Sequence, residues 1–210
     1  MAVIIVDYGA GNIANVMKAL KYCGLSARLS DDPQEISKAQ GLIVPGVGAF
    51  STAMDRLQAK GLVQPIQAYA QAGKPLLGIC LGMQLLFDES DEFGQRAGLG
   101  LIPGKIIPLP TETGCKVPQM GWNDNQVHQN RTLTQGLNQQ ATYFVHSYYA
   151  KTDPKYIAAS VDFGELAVPS VVCQDNVMGT QFHPEKSGLV GLAVLKNFKE
   201  MVDNYDFSRN

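Results

Sequence analysis

Cys80 stands in the frame Gly78-Ile79-Cys80-Leu81-Gly82, and His183 and Glu185 flank a proline in His183-Pro184-Glu185. These are the residue types needed for acyl transfer through a covalent intermediate: a thiol to attack carbonyl carbon, an imidazole to move protons, a carboxylate to orient the ring. Before Cys80, Pro75 and the apolar Leu76, Leu77 and Ile79 predict a buried strand; after it, Leu81, Leu85, Leu86 and Phe87 fall at helical spacing. The thiol is therefore expected where a strand turns sharply into a helix, a nucleophile elbow with sulfur in place of the serine oxygen. Gly78 and Gly82 permit the tight turn, and the positive end of the helix favours the thiolate. The alternative for an isolated Cys in an apolar run is a small core residue. Cys23 reads that way, since it closes the stripe Ile13, Val16, Met17, Leu20, Cys23.

The base is chosen from three histidines, His128, His146 and His183. In an extended segment residues two apart project to the same side, so Glu185 can hold the His183 ring. Pro184 keeps His183 out of helical geometry. His146 has no acid beside it and reads as structural, and His128 reads as a solvent-facing loop residue. An attacked carbonyl also needs donors for its oxygen. The amide of Leu81 is one candidate by analogy with the hydrolase elbow. A second is the loop Pro45-Gly46-Val47-Gly48, through the amides at Val47 and Gly48; the alternative for it is a tight turn with no chemical role.

The elements that must position these groups fit one domain over residues 1–210, with 45% hydrophobic residues supplying a core. Residues 2–6 form an unbroken apolar run that predicts a strand covered on both faces. Asp7-Tyr8-Gly9-Ala10-Gly11-Asn12 turns from it, with Asn12 as the expected helix cap; no third glycine or Lys-Ser/Thr follows to make a phosphate loop. Strand and helix then alternate through Ala27–Leu29, a Pro-started helix after Asp32, Gly41–Val44, a helix capped by Ser51 and another over Leu62–Ala72. This order predicts an α/β fold: a mostly parallel, doubly wound sheet flanked by helices, with active groups beyond the carboxyl ends of the strands. The second half predicts short strands at Lys105–Leu109, Lys116–Met120, Tyr143–Tyr149, Ile157–Val161, Ser170–Cys173 and Val177–Phe182 as antiparallel additions, then a closing helix over Leu189–Val202.

A net charge of −2 without a basic run predicts no nucleic-acid or membrane-surface partner, and no apolar stretch approaches the about 18 residues that span a bilayer. The first residues read as a strand and lack the charged start of a signal peptide. Four cysteines, Cys23, Cys80, Cys115 and Cys173, are scattered without metal-ligand spacing; no metal, no cofactor and no disulfide framework is expected, and a reducing cytoplasm fits.

Gly78-Ile79-Cys80-Leu81-Gly82-Met83-Gln84 with His183-Pro184-Glu185 resembles the triad glutamine amidotransferases. Five further stretches narrow this: the Asp7–Asn12 turn, Pro45-Gly46-Val47-Gly48-Ala49-Phe50, Pro118-Gln119-Met120-Gly121-Trp122-Asn123, Phe144-Val145-His146-Ser147-Tyr148 and His183-Pro184-Glu185-Lys186-Ser187. Together they are similar to the glutaminase subunits of imidazole glycerol phosphate synthases, across essentially the whole chain. Gln119 stands where many such chains have His, and Met83 where related amidotransferases often have His. The resemblance implies glutamine as substrate, with Cys80 forming a thioester, His183 moving protons, and Gln84 with the backbone at Gly48, Ser147 and Tyr148 holding the substrate. Glu92 is the implied contact for its ammonium. Ammonia is implied to pass to a (β/α)8-barrel cyclase in a heterodimer, with Asn12, Met120, Trp122, Tyr143 and Lys186 facing that partner. For Trp122 the alternative is an ordinary core position. A stand-alone γ-glutamyl hydrolase, a cysteine peptidase and a non-catalytic subunit are the competing readings.

Overall fold

The structure is a computed structural model that describes residues 2–111 and 114–206. β1 (Val3–Val6), α1 (Ile13–Tyr22), β2 (Ala27–Ser30), α2 (Pro33–Ser37), β3 (Gly41–Val44), α3 (Phe50–Ala59), α4 (Val63–Gln71), β4 (Leu76–Ile79) and the single turn α5 (Leu81–Gln84) make up the first half. β1 pairs in parallel with β2 and β3, and β3 with β4. Every residue of β1, β3 and β4 is buried, because helices cover both faces. Side chains alternate accordingly: Val3 and Ile5 join the core with Val16, Leu20, Leu195 and Phe198, while Ile4 and Val6 join Ile36, Leu57 and Ile66 on the other face.

The second half comprises β5 (Phe87–Ser90), β6 (Arg96–Ala97), β7 (Ile102–Pro108), β8 (Gln119–Asp124), β9 (Gln126–Val127), β10 (Ala141–His146), β11 (Tyr148–Lys151), β12 (Ile157–Phe163), β13 (Leu166–Gln174), β14 (Val177–Thr180) and α6 (Gly188–Asn204). β14 lies parallel beside β4, and β13, β12 and β9 continue the sheet antiparallel to give the order β2-β1-β3-β4-β14-β13-β12-β9. The expected doubly wound α/β sheet with antiparallel additions is the observed one. Two smaller sheets, β10-β8 and β11-β7-β5-β6, pack beside it.

Several expected boundaries move. The segment Tyr143–Tyr149 is not one strand: it breaks at Ser147, so that β10 pairs with β8 and β11 with β7. The strand expected at Lys116–Met120 runs instead over Gln119–Asp124, which puts Trp122 within β8. The helix after Cys80 stops at Gln84, and Phe87 opens β5, which pairs in parallel with β7. Asn12 does not cap α1 with its side chain; its Oδ1 accepts from Asn15 Nδ2 at 3.0 Å. Ser51 lies inside α3, whose first amide, Phe50 N, is met by Glu92 Oε2 at 2.6 Å. Asp32 does cap α2, accepting from Gln34 N at 2.8 Å, with Pro33 in the first turn.

Candidate active site

Cys80 itself carries the strain of the turn between β4 and α5, with φ 55° and ψ −112°. A non-glycine residue there must be held by its surroundings. Its amide is fixed to β14 through Thr180 O at 2.8 Å. The neighbouring glycines serve a different end from the expected backbone freedom: they make room. A Cβ on Gly82 would stand 1.8 Å from Val44 O, one on Gly78 2.6 Å from Gly82 O, and one on Gly46 2.7 Å from Gly82 N. The end of β3 and the loop after it therefore press directly on the elbow. Because α5 is one turn long, its dipole is slight, and the polar groups around the sulfur are side chains.

His183 supplies the first of these. Its Nδ1 lies 2.8 Å from Glu185 Oε1, and its ring lines the same cleft as Cys80. Burial pulls the imidazole down, but the hydrogen bonds to Cys80 and Glu185, and the charge on each, outweigh it and push the group up to about 9. The His183 backbone is clamped to β10, its N–H donating to Tyr143 O at 3.1 Å and its carbonyl accepting from Ser187 Oγ at 2.7 Å. Gln181, fully buried, supplies the second support, with Nε2 3.8 Å from Cys80 Sγ. His146 is different: burial holds it down to about 4, its Nδ1 donates to Tyr148 O at 2.9 Å, and its Nε2 has no partner among the described residues. His128 sits in an exposed loop, bonded to Ser160 Oγ at 2.7 Å.

A cleft of about 570 Å³ opens over the thiol. It is lined by Val47 and Gly48, by Cys80, Leu81, Gln84 and His183, and by Glu92, Ser147 and Tyr148, so the candidate nucleophile, base, oxyanion and substrate residues surround one space, while Glu185 reaches His183 from outside that lining. Phe93, Pro118, Val145, His146 and Lys186 line it too. Gln84 Nε2 donates to Tyr148 O at 3.0 Å and to Gln181 Oε1 at 2.9 Å. The loop from Pro45 to Ala49 is pinned at both ends. Tyr8 donates to Pro45 O at 2.5 Å, and Glu92 accepts from Phe50 N. Between the pins Val47 is 45% exposed, and Gly48 has φ +99° with no atom within 4 Å of where a Cβ would stand. Among the described residues no cluster of three His, Cys, Asp or Glu is placed to hold a metal.

Residues 4–201 match the family described as "Glutamine amidotransferase class-I". The chain belongs to the class-I glutamine amidotransferases. Named relatives of this amidotransferase include "Imidazole glycerol phosphate synthase subunit HisH" of Lacticaseibacillus casei (strain BL23), 56% identical over 99% of this chain and 100% of the relative. The protein of that name from Streptococcus sanguinis (strain SK36) is 54% identical over 95% and 96%. Among solved structures, a glutamine amidotransferase superposes with a TM-score of 0.75 over 96% of this chain and all of its own, at 21% identity, a likeness of fold.

Of the remaining candidate residues of the amidotransferase, Lys186 lines the cleft, whereas Asn12, Met120, Trp122 and Tyr143 do not. Met120 and Trp122 are 64% and 58% exposed, so Trp122 is not a core residue. Trp122 stands opposite Tyr143 across the β8–β10 ladder, edge to face at 6.1 Å, and Lys186 Nζ lies 5.8 Å from the Tyr143 ring centre. Asn12 is half-buried. Gln181 and Tyr8 were not singled out from sequence. Gln181 precedes His183 by two, and the spacing that pairs His183 with Glu185 also points back to it. Tyr8 gave no such signal, because its contact with Pro45 bridges two separate loops.

Proposed function

We propose that this chain is the glutaminase subunit of an imidazole glycerol phosphate synthase, hydrolysing glutamine to glutamate and ammonia for histidine biosynthesis. The observation that carries the reading is that Cys80 and His183 line one cleft, with Glu185 hydrogen-bonded to the His183 ring from behind. The relatives named above, alike over nearly the full chain, support the reaction it serves.

Cys80 Sγ, as thiolate, attacks the side-chain amide carbon of glutamine and the carbonyl pair moves onto oxygen. Amides at Leu81 and at Val47 or Gly48 receive that charge. His183, protonated, gives its proton to the departing nitrogen; the C–N bond breaks and ammonia leaves a γ-glutamyl thioester. The now neutral imidazole takes a proton from water, hydroxide adds to the thioester, and C–S cleavage returns thiolate and glutamate. Glu185 holds the ring and balances its charge throughout. Gln84 and the backbone of Gly48, Ser147 and Tyr148 hold the substrate. Glu92 faces its ammonium through Oε1, since Oε2 is engaged by Phe50.

The ammonia passes to a (β/α)8-barrel cyclase subunit. Support comes from the exposed Met120 and from the Trp122–Tyr143–Lys186 stack, an apolar and cationic face of the kind that protein interfaces bury, with Lys186 also on the cleft rim. Asn12 belongs to the same proposed face. Delivery without exposure to bulk water keeps the nitrogen lone pair, which protonation near neutral pH removes. Cys80→Ser is expected to abolish glutamine-dependent synthesis in the assembled complex while ammonium salts still support it. Equal loss with both nitrogen sources overturns the division of labour, and full glutaminase turnover by the isolated chain favours a stand-alone hydrolase.

A further inference from the structure

We infer that Gln181 is a positioning residue for the nucleophile: a buried amide that directs one N–H at Cys80 Sγ, its orientation fixed by Gln84. The direction follows from a single anchor. Tyr148 O, a backbone carbonyl, can only accept, so the Gln84 amide nitrogen faces it at 3.0 Å. The second hydrogen on that nitrogen then points to Gln181 at 2.9 Å, which must meet it with Oε1. Gln181 therefore turns Nε2 toward the sulfur at 3.8 Å. Flipping Gln181 would set two N–H groups against each other between two buried side chains and lose the bond that joins them.

An N–H aimed at sulfur stabilises the thiolate more than the thiol. The contact is fixed at its other end as well, because Gln181 N donates to Ser170 O at 2.8 Å and the side chain is wholly buried. The sulfur thus has two polar neighbours of different kinds. His183 donates or accepts according to its protonation, whereas Gln181 only donates. The titratable groups around the sulfur include His183, from the segment after β14, and Tyr8, from the turn after β1, and Glu92, His146 and Lys186 line the same cleft. Gln84 lines the cleft, so the chain of bonds also joins the substrate pocket to the nucleophile.

The proposal rests on Cys80 being the reactive thiol, and the test reads that thiol directly. Alkylation of the full chain by iodoacetamide is followed at the Cys80 peptide by mass spectrometry from pH 6 to pH 10. Gln181→Glu keeps an acceptor for Gln84 but turns an oxygen toward the sulfur; alkylation at pH 7 is expected to slow about tenfold or more and to recover by pH 10. Gln181→Met, which loses both bonds but keeps the volume, is expected to slow it about threefold or more with the same recovery. Gln84→Met, which frees the Gln181 amide to turn, shifts it in that direction too. Parent-like rates at pH 7 in either Gln181 variant, or a loss of equal size at every pH, overturn the positioning role; an unchanged rate in Gln84→Met overturns the relay. If Cys80→Ser retained glutaminase activity, the proposed function would fall while the alkylation result stood.

Discussion

Glu185 gives one oxygen to His183 and leaves Oε2 buried without a hydrogen-bond partner among the described residues. A carboxylate placed so earns its position through charge rather than through the number of its bonds. Glu185→Gln keeps the shape and removes the charge, so the fold should persist while glutamine turnover falls on the order of 10²-fold or more. A second readout follows from linkage. Despite burial, the folded His183 is raised above its ordinary 6.5 to about 9 by Cys80 and Glu185. That raises stability fully below pH 6.5, and the gain is lost as pH climbs through 9. In Glu185→Gln the alkaline decline in melting temperature should flatten; an unchanged decline assigns the shift elsewhere. Cys80, His183 and Glu185 were legible in the sequence because each belongs to a short local pattern. Gln181 meets Cys80 across 101 positions, and its spacing to His183 gives it a side of the segment but not the thiol as partner.

At the level of elements the glycines separate into two kinds that the sequence does not distinguish. Gly82 is packed against Val44 O, so Gly82→Ala must move β3 or the elbow and is expected to abolish soluble expression or to cost several kcal/mol, roughly as overpacking does at its worst. Gly48 has open space but a left-handed φ, so Gly48→Ala should fold with a loss of about 1 kcal/mol while glutamine turnover drops. Thermal melts of the two variants distinguish packing from backbone freedom; equal destabilisation contradicts the assignment. The parallel half was readable because apolar runs covered on both faces leave an unambiguous pattern. The small sheets were not, since β5 begins within three residues of α5 and its apolar Phe87 also fits the helical stripe. The break at Ser147 is a change of partner strand, which only the tertiary register reveals.

For the whole molecule, Val47 and Gly48 of the candidate oxyanion loop line the same cleft as Lys186 of the candidate partner face. Tyr8 and Glu92 clamp the ends of the loop, yet Val47 in its middle is half exposed and Gly48 has nothing against it. A loop held at both ends and uncovered at Val47 and Gly48 can turn the peptide there without disturbing β3 or α3. Our hypothesis is that the isolated chain keeps the Val47 peptide with its carbonyl toward the oxyanion position, and that a docked cyclase with its nucleotide ligand turns the N–H inward. A missing oxyanion donor costs about 10²–10³ in turnover, or about 2.7–4 kcal/mol. Because that donor meets charge present only in the transition state, its arrival should raise kcat by a factor of this order and leave KM nearly unchanged. Glutamine hydrolysis is to be measured for the chain alone, for the complex, and for the complex with nucleotide bound. A rise confined to the last two, and carried by kcat, is the expected result. Activation expressed mainly in KM would mean that the partner shapes the substrate pocket instead, and full turnover by the chain alone would mean that the loop is already set.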